Sequence, residues 1–191
     1  MMHSTNFRTA LSVLLAVALL GAGCASNVQK LPKLAPTPAG VYLLGPGDTL
    51  QVTVFGEPDL SGTLKVTDSG TVVMPLIGTV PAAGLSVQDL QKKLTALLDA
   101  KAVKSPNVTV QINEYRPFFI LGEVKNPGSY AYVPDMTVLT AVAIAGGYTF
   151  RAAQDSVSVT RRVDGASRES QAARDSRVLP GDVVYVYERH F

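Results

Sequence analysis

Residues 44–55 read LGPGDTLQVTVF, and residues 179–188, near the opposite end of the chain, read LPGDVVYVYE. In each stretch a Pro-Gly-Asp turn leads into residues that alternate as in a half-buried strand. Proline presets φ for a turn, glycine accepts the positive φ that follows, and the aspartate can bond nearby backbone N–H groups. The two stretches therefore predict two β-containing units. Such a turn is common, so by itself it indicates structure rather than function.

The first unit contains further strands and one helix. Ser86 and Asp89 form a capping-box pattern that opens the helix, and Pro106 ends it. The apolar face of this helix repeats at helical spacing through Val87, Leu90, Leu94, Leu97 and Leu98. Short strands, bounded by glycine and proline, are predicted at Thr63–Val66, Thr71–Met74, Ile77–Val80 and Asn107–Ile112.

The second unit starts at Arg116 and has the order two strands, a helix and two more strands. A turn at Asn126–Gly128 joins the first two strands. The last two are predicted at residues 155–161 and 182–188, with a polar loop over Val163–Arg177 between them. This order is typical of a β-grasp fold, although periodicity alone does not distinguish it from other α+β units.

A short helix is predicted over residues 138–145 of the second unit. Asp135 or Thr137 is placed to cap its start. Gly146-Gly147 supplies the positive φ that stops it.

Residues 1–23 have the pattern of a secretory signal peptide, with an apolar core over residues 10–20 that is too short to span a ~30 Å hydrocarbon layer comfortably. Residues 21–24, Gly-Ala-Gly-Cys, resemble a bacterial lipobox, although Gly21 replaces the usual leucine. We predict that Cys24 becomes a lipidated N-terminus. Because no aspartate follows Cys24, the expected location is the outer membrane of a Gram-negative bacterium, facing the periplasm. The alternative is ordinary signal cleavage nearby, with Cys24 incidental.

Residues 24–40 are predicted to be a lipid-anchored linker. They contain Pro32, Pro36 and Pro38 and little periodicity, which biases them toward extended conformations. Fully stretched, residues 25–40 would reach ~50 Å, enough to hold a folded body clear of the bilayer.

Composition excludes several classes of function. Arg8 is the only one of the 17 basic residues that precedes Cys24, so the rest of the chain carries 16 basic and 15 acidic side chains. A near-neutral chain without a basic stripe is a poor candidate for nucleic-acid binding. One cysteine makes neither an internal disulfide nor a zinc site, and the two histidines, His3 and His190, lie at opposite ends. We therefore expect no catalytic residues, no metal and no cofactor.

The order of motifs resembles the outer-membrane polysaccharide export (Wza-like, OPX) family. Residues 42–94 follow the export-domain pattern through LGPGD, the Asp-Ser-Gly turn at 68–70, Met-Pro at 74–75, Ile-Gly at 77–78 and AGLS at 83–86. Residues 118–134, FFILGEVKNPGSYAYVP, followed by AGG at 145–147 and LPGDVVYV at 179–186, resemble the soluble-ligand-binding β-grasp (SLBB) module. The implied fold class is α+β, with a β-rich export domain containing one helix (41–114) followed by one SLBB β-grasp domain (115–191).

The resemblance implies a periplasmic component of a capsule or exopolysaccharide export conduit that is not an enzyme. It implies a ring-shaped homo-oligomer through which the polysaccharide passes, and an inner-membrane polysaccharide co-polymerase that docks from below. Larger relatives have several SLBB modules and a C-terminal amphipathic helix that forms the pore. Here one module is visible and the sequence ends after a strand, so a separate outer-membrane β-barrel is expected to supply the pore.

Three groups of side chains are candidate sites without a settled role. The tyrosine pairs Tyr130/Tyr132 and Tyr185/Tyr187 are placed to stack on sugar rings, to pack within a sheet or to lie in an interface. Carboxylates cluster in the sequence at Asp48, Glu57, Asp59 and Asp68, as in a metal or acid/base site. Their spacing fits no calcium loop, which favours turn capping or solvated faces. A basic region contains Arg161, Arg162, Arg168, Arg174 and Arg177 and is either a solvated loop or a surface that attracts an acidic polymer or partner. The polysaccharide-binding residues are not identified.

Three functions stay open on the sequence alone. The first is the passive export component, the second is a periplasmic ligand-binding lipoprotein outside export, and the third is a carboxylate-based glycan hydrolase. Assembly into a closed ring distinguishes the first from the second, and turnover of a polysaccharide would distinguish the third from both.

Overall fold

In a computed structural model of the protein, the structure describes residues 27–36, 41–101, 103–163 and 165–189. The predicted signal peptide and Cys24 lie outside these residues. The strands are β1 (Thr49–Val54), β2 (Gly62–Lys65), β3 (Thr71–Met74), β4 (Gly78–Pro81), β5 (Val108–Glu114), β6 (Phe118–Gly122), β7 (Gly128–Tyr130), β8 (Ala152–Val163), β9 (Ala166–Ala172) and β10 (Val183–Glu188). The α-helices are α1 (Val87–Lys101) and α2 (Val138–Ile144), and short 3-10 helices occur at Asn27–Lys30 and Pro58–Leu60.

The first domain is built on an antiparallel sheet of order β2-β1-β5, with β3 and β4 forming a separate hairpin. The predicted alternation in β1 is confirmed, because Leu50, Val52 and Val54 are all buried. Val52 lies opposite Val110 of β5 in the register. A half-buried strand of this kind holds one face against the core, and here α1 packs on that core.

Helix α1 begins at the predicted capping box. The Ser86 hydroxyl accepts a bond from the Asp89 backbone N–H at 3.0 Å and donates to Asp89 Oδ2 at 2.7 Å. Of the predicted apolar face, Leu90, Leu94 and Leu98 are fully buried, whereas Val87 and Leu97 are partly buried. The helix ends at Lys101.

The second domain is a five-stranded mixed sheet of order β7-β6-β10-β8-β9. Strand β10, the last strand of the chain, runs parallel to β6 and antiparallel to β8, and so lies at the centre of the sheet. Helix α2 contributes Val138, Ala141 and Val142 to the core on one face of this sheet. The chain therefore has the predicted α+β class, with two domains in succession.

The structure selects Thr137 as the cap of α2, since its hydroxyl accepts a bond from the Thr140 backbone N–H. Asp135 instead has a φ of 61° and pairs with Arg177. Gly146 and Gly147 have φ values of 86° and 95°, which confirms the predicted helix stop.

The predicted polar loop over Val163–Arg177 is wrong for much of its length. Residues 166–172 form β9, which pairs along its whole length with β8, and β8 itself begins at Ala152 rather than Asp155. In β9 only Ala172 is buried, because the strand lies toward the edge of the sheet and turns its side chains to solvent. A strand without a buried face carries no apolar alternation in its sequence, and the backbone pairing with β8 gives this one its extended form.

The predicted free linker also differs from the structure. Val28 is fully buried and Leu34 packs against the core of the second domain. Gln171 donates its backbone N–H to Pro32 O at 2.8 Å and accepts from Leu34 N at 2.7 Å, which adds the segment to β9 as a short parallel bridge. Residues 28–34 are therefore part of the folded body and do not form an extended spacer.

Among the described residues, no helix combines the length and the apolar character required to cross a bilayer.

Candidate functional site

The two Pro-Gly-Asp turns have the same local geometry. Asp48 Oδ2 accepts a bond from the Gly45 backbone N–H at 2.8 Å, and Asp182 Oδ2 accepts one from the Leu179 N–H at 2.7 Å. Each aspartate thus bonds the backbone three residues before it, which closes its turn. Both carboxylates are almost completely buried. A buried carboxylate needs partners for its charge, and each of these two aspartates has an arginine.

Arg116 joins the two turns. Its backbone N–H donates to Asp48 Oδ1 at 2.9 Å, and its Nη1 donates to Asp48 Oδ2 at 3.1 Å. Its Nε donates to the carbonyl oxygen of Pro180 at 3.0 Å. One side chain therefore connects the turn that opens the first domain to the turn that precedes the last strand of the second. We call Tyr42, Asp48, Arg116 and Pro180 the Arg116 junction.

The glycines of the two turns allow the arginine to approach. A Cβ built on Gly45 would lie 2.3 Å from Arg116 Nη1, and one built on Gly181 would lie 3.0 Å from Arg116 Nε. Gly181 also has a φ of 85°, a backbone conformation that residues other than glycine rarely adopt. The glycines of the motif thus serve the close contact between domains as well as the turns.

Aromatic rings form a second contact across the domains. Tyr42 meets Tyr115 edge to face at 5.0 Å, and Tyr115 meets Tyr132 in the same way at 5.3 Å. The Tyr42 hydroxyl donates to Asp48 Oδ2 at 2.7 Å and accepts from Arg116 Nη1 at 2.9 Å. Burial, followed by the hydrogen bond to the Asp48 carboxylate, raises the pKa of Tyr42 well above its ordinary value. The phenol therefore stays protonated and donates to Asp48.

Asp182 has its own arginine, Arg161 of β8. The Nε and Nη2 of Arg161 donate to the two carboxylate oxygens of Asp182 at 2.9 and 2.7 Å. Nη2 also donates to the Arg177 carbonyl at 3.0 Å. This forked pair ties the hairpin of β8 and β9 to the turn before β10.

The basic region is thus not a uniform solvated loop. Arg161 is paired with Asp182, Arg174 with Asp155 at 2.8 Å and Arg177 with Asp135 at 3.0 Å. No ion pair joins Arg162 or Arg168 to any described residue, and both are exposed. The five arginines that were grouped by sequence therefore separate into three that form ion pairs and two that form none with the part of the chain that the structure describes.

The two predicted tyrosine pairs have different environments. Tyr185 and Tyr187 contact each other edge to face at 4.8 Å, and the Tyr187 hydroxyl donates to Glu169 at 2.9 Å. Tyr130 stacks on Phe118 and donates to the Asn126 carbonyl. Tyr132 belongs to the aromatic contact across the domains. Tyr185 is the most exposed of the four, and its contact with sugar stays a prediction.

The predicted carboxylate cluster is not a shared site. Asp48 is buried in the Arg116 junction, whereas Asp59 and Asp68 are exposed and Glu57 is partly exposed. Across the residues that the structure describes, no group of three or more His, Cys, Asp or Glu side chains is placed to hold a metal ion.

Sequence reasoning missed the role of Arg116, which it treated only as the start of the second unit. The one signal was its position, as a single arginine between two units that each carry a Pro-Gly-Asp turn. Nothing in a linear motif says that both turns meet at that side chain.

Comparison with known proteins covers both domains. The family model described as polysaccharide biosynthesis/export protein matches residues 36–113, and the SLBB domain model matches residues 117–170. The chain is 32% identical over 180 residues to the exopolysaccharide production protein ExoF of Rhizobium meliloti (strain 1021), and the matched region covers 82% of this chain and 41% of ExoF. It is also 32% identical over 108 residues to the polysialic acid transport protein KpsD of Escherichia coli, and here the matched region covers 56% of this chain and 19% of KpsD. The chain thus spans well under half the length of either.

Proposed function

The chain belongs to the polysaccharide export family, with an export domain followed by one SLBB domain, and from this premise we propose that it is a periplasmic component of an exopolysaccharide export conduit. The family is one of export proteins and not of enzymes. The observation that carries the proposal is the succession of the two family domains along most of the chain.

We propose that the functional form is a ring-shaped homo-oligomer. In a closed ring each subunit meets its two neighbours at a fixed angle, so a flexible joint between the domains would oppose closure. The Arg116 junction supports this proposal because it bonds both domains through one partly buried side chain.

An apolar stripe on the second domain also supports self-association. Phe119 and Leu121 of β6 and Tyr185 of β10 are all between 41% and 44% exposed. Leu121 and Tyr185 are direct neighbours in the parallel register, and Phe119 lies two residues away on the same face. Side chains of this kind that lie together on a surface are typical of protein interfaces, and we expect a neighbouring subunit to cover them.

We further propose that lipid on Cys24 tethers the ring to the outer membrane, where it faces the periplasm. Asn27, the first described residue, follows Cys24 by three residue steps, which correspond to about 10 Å of extended chain. Because residues 28–34 are bound to β9, a lipid on Cys24 would hold that edge of the second domain close to the bilayer surface.

The remaining partners stay proposals that rest on the family resemblance. They are the polysaccharide itself, an inner-membrane polysaccharide co-polymerase and a separate outer-membrane β-barrel that supplies the pore. Crosslinking in intact cells followed by identification of the linked proteins tests each partner separately.

Deletion of the gene in its own bacterium tests the function. We expect the cell surface to lose one exopolysaccharide, which then accumulates inside the envelope, and we expect the intact gene to restore export. Unchanged surface polysaccharide in the deletion strain would contradict the proposal.

Electron microscopy of the purified, membrane-extracted protein tests whether it forms a ring. A uniform monomer would favour the ligand-binding lipoprotein instead.

A further inference from the structure

A cleft of about 420 Å³ lies where the two domains meet the hairpin of β8 and β9. Its lining includes Pro46, Arg116, Thr160, Arg162, Ser167 and Pro180. Residues of both Pro-Gly-Asp turns and of β8 and β9 thus line the same cleft. The volume falls in the range of clefts that hold small ligands.

At the cleft, the carboxylates that accept hydrogen bonds are buried, whereas the arginines that donate them are partly exposed. Asp48 and Asp182, which neutralise Arg116 and Arg161, are 0% and 1% exposed. The arginine side chains that cover them keep 26% and 16% of their surface exposed. A ligand that enters the cleft therefore meets guanidinium edges rather than carboxylates, so the local field favours an anion.

Several of these donors are unused. Arg162 makes no ion pair with any described residue, and no hydrogen bond joins Arg116 Nη2 to one. The hydroxyls of Thr160 and Ser167 likewise have no hydrogen-bond partner among the described residues. Ser167 lies directly opposite Arg162 in the antiparallel register of β8 and β9, so a guanidinium and a hydroxyl are neighbours at the cleft.

We propose that this cleft binds a carboxylate-bearing sugar unit of an acidic polysaccharide, with Arg162 as the principal contact. The forked donors of arginine match the two oxygens of a carboxylate. The hydroxyls of Thr160 and Ser167 suit the hydroxyl groups of a sugar, and the rings of Pro46 and Pro180 offer apolar surface to its C–H face. This inference rests on the proposed export function and narrows it to an acidic polymer.

The test compares two variants and two probes on the full-length protein. The probes are a galacturonic acid trimer and its methyl ester, which has the same backbone without the charge. The variants are Arg162→Gln and, as the matched control, Arg168→Gln. Arg168 lies exposed on the same hairpin and forms no ion pair with a described residue, but it does not contribute to the wall of the cleft.

We expect calorimetry to show that the trimer binds the unmodified protein and that Arg162→Gln weakens binding about tenfold, the loss typical of one charge-assisted hydrogen bond. We expect Arg168→Gln to bind as the unmodified protein does and the methyl ester to bind about tenfold more weakly. Equal losses in the two variants, equal binding of the two probes, or no binding of the trimer would each overturn the inference. Thermal unfolding of both variants checks that the fold is unchanged.

The binding experiment and the gene deletion can fail independently of each other. If the deletion strain loses its exopolysaccharide while the protein binds no galacturonate trimer, the export function stands and the acidic-sugar site does not. If the protein binds the trimer through Arg162 while the deletion strain exports normally, the site stands and the export function does not.

Discussion

Arg116 and Asp48 form a double contact across the boundary between the two domains. The arginine donates to Asp48 Oδ1 through its backbone N–H at 2.9 Å and to Asp48 Oδ2 through Nη1 at 3.1 Å. Asp48 is 0% exposed, whereas the Arg116 side chain is 26% exposed. The aspartate therefore depends on this arginine to compensate a buried charge, and Arg116 reaches on from it to Pro180.

Arg116→Met should lower the free energy of unfolding by about 3 kcal/mol, because removal of one partner leaves the other charge buried and uncompensated. Urea unfolding measures this loss. Arg168→Gln is the matched control, since Arg168 is exposed and forms no ion pair within the described ranges, and we expect a change within about 0.5 kcal/mol there. If the two variants lose the same stability, Asp48 does not depend on Arg116.

Gly45→Ala should destabilise the protein by about 1–3 kcal/mol, the usual cost of an overpacked contact. The new Cβ would lie 2.3 Å from Arg116 Nη1, and the guanidinium is held by several hydrogen bonds. Gly62→Ala is the control, because a Cβ at Gly62 meets nothing within 4 Å. Since the Arg116 guanidinium is the group that the new Cβ would meet, Gly45→Ala should lower the free energy of unfolding much less when Arg116 is already methionine. If the stability losses of the two single variants simply add in the double variant, the clash with Arg116 is not the cause.

Gly147→Val should destabilise the second domain by about 1–3 kcal/mol through backbone strain. Gly147 has a φ of 95°, and a Cβ there would meet nothing within 4 Å, so the Cβ itself adds no clash to that strain. Thermal unfolding measures the effect. Gly147→Asn should cost less than the valine variant, because asparagine adopts positive φ more readily. Equal stability of the valine variant and the unmodified protein would show that this helix stop tolerates any residue.

Val28→Asp should detach the N-terminal segment from the second domain while leaving the rest folded. Val28 is 0% exposed, and an aspartate there would bury an unpaired charge. Hydrogen exchange at Leu34 N–H, which is bonded to Gln171, reports the detachment. Lys30→Asp places the same charge at an exposed position in the same segment and should leave that exchange unchanged. Slow exchange at Leu34 in the Val28 variant would mean that the backbone bridge alone holds the segment.

Cys24→Ser should release the protein from the outer membrane, because we propose lipid on Cys24 as its tether. Membrane fractionation measures the release, and the intact mass of the extracted protein shows whether it begins with a lipid-modified Cys24. A mass that begins at Ser26 without lipid would contradict the proposal and would support ordinary signal cleavage.

Local chemistry was enough to predict several elements from the sequence. Alternation placed β1, the Ser86 and Asp89 pattern placed the start of α1, and Gly146-Gly147 placed the end of α2. Each depends on residues within about one or two turns of each other, so the pattern and its physical cause lie in the same short stretch.

Contacts between distant segments account for what the sequence did not reveal. Strand β9 has no apolar face of its own, and the segment around Lys33 becomes strand-like only because Gln171 bonds it. Arg162 and Arg161 are adjacent in the sequence, yet Arg161 is paired with Asp182 while Arg162 lines the cleft and forms no ion pair with any residue that the structure describes.

The sequence by itself determined the family, the order of the domains and the two Pro-Gly-Asp turns. Only the tertiary structure decided that both turns close on Arg116, which lies 68 residues after Asp48 and 64 before Pro180. A turn is encoded by φ preferences within a few residues, whereas the approach of a guanidinium to a buried carboxylate depends on how two separately packed cores come together.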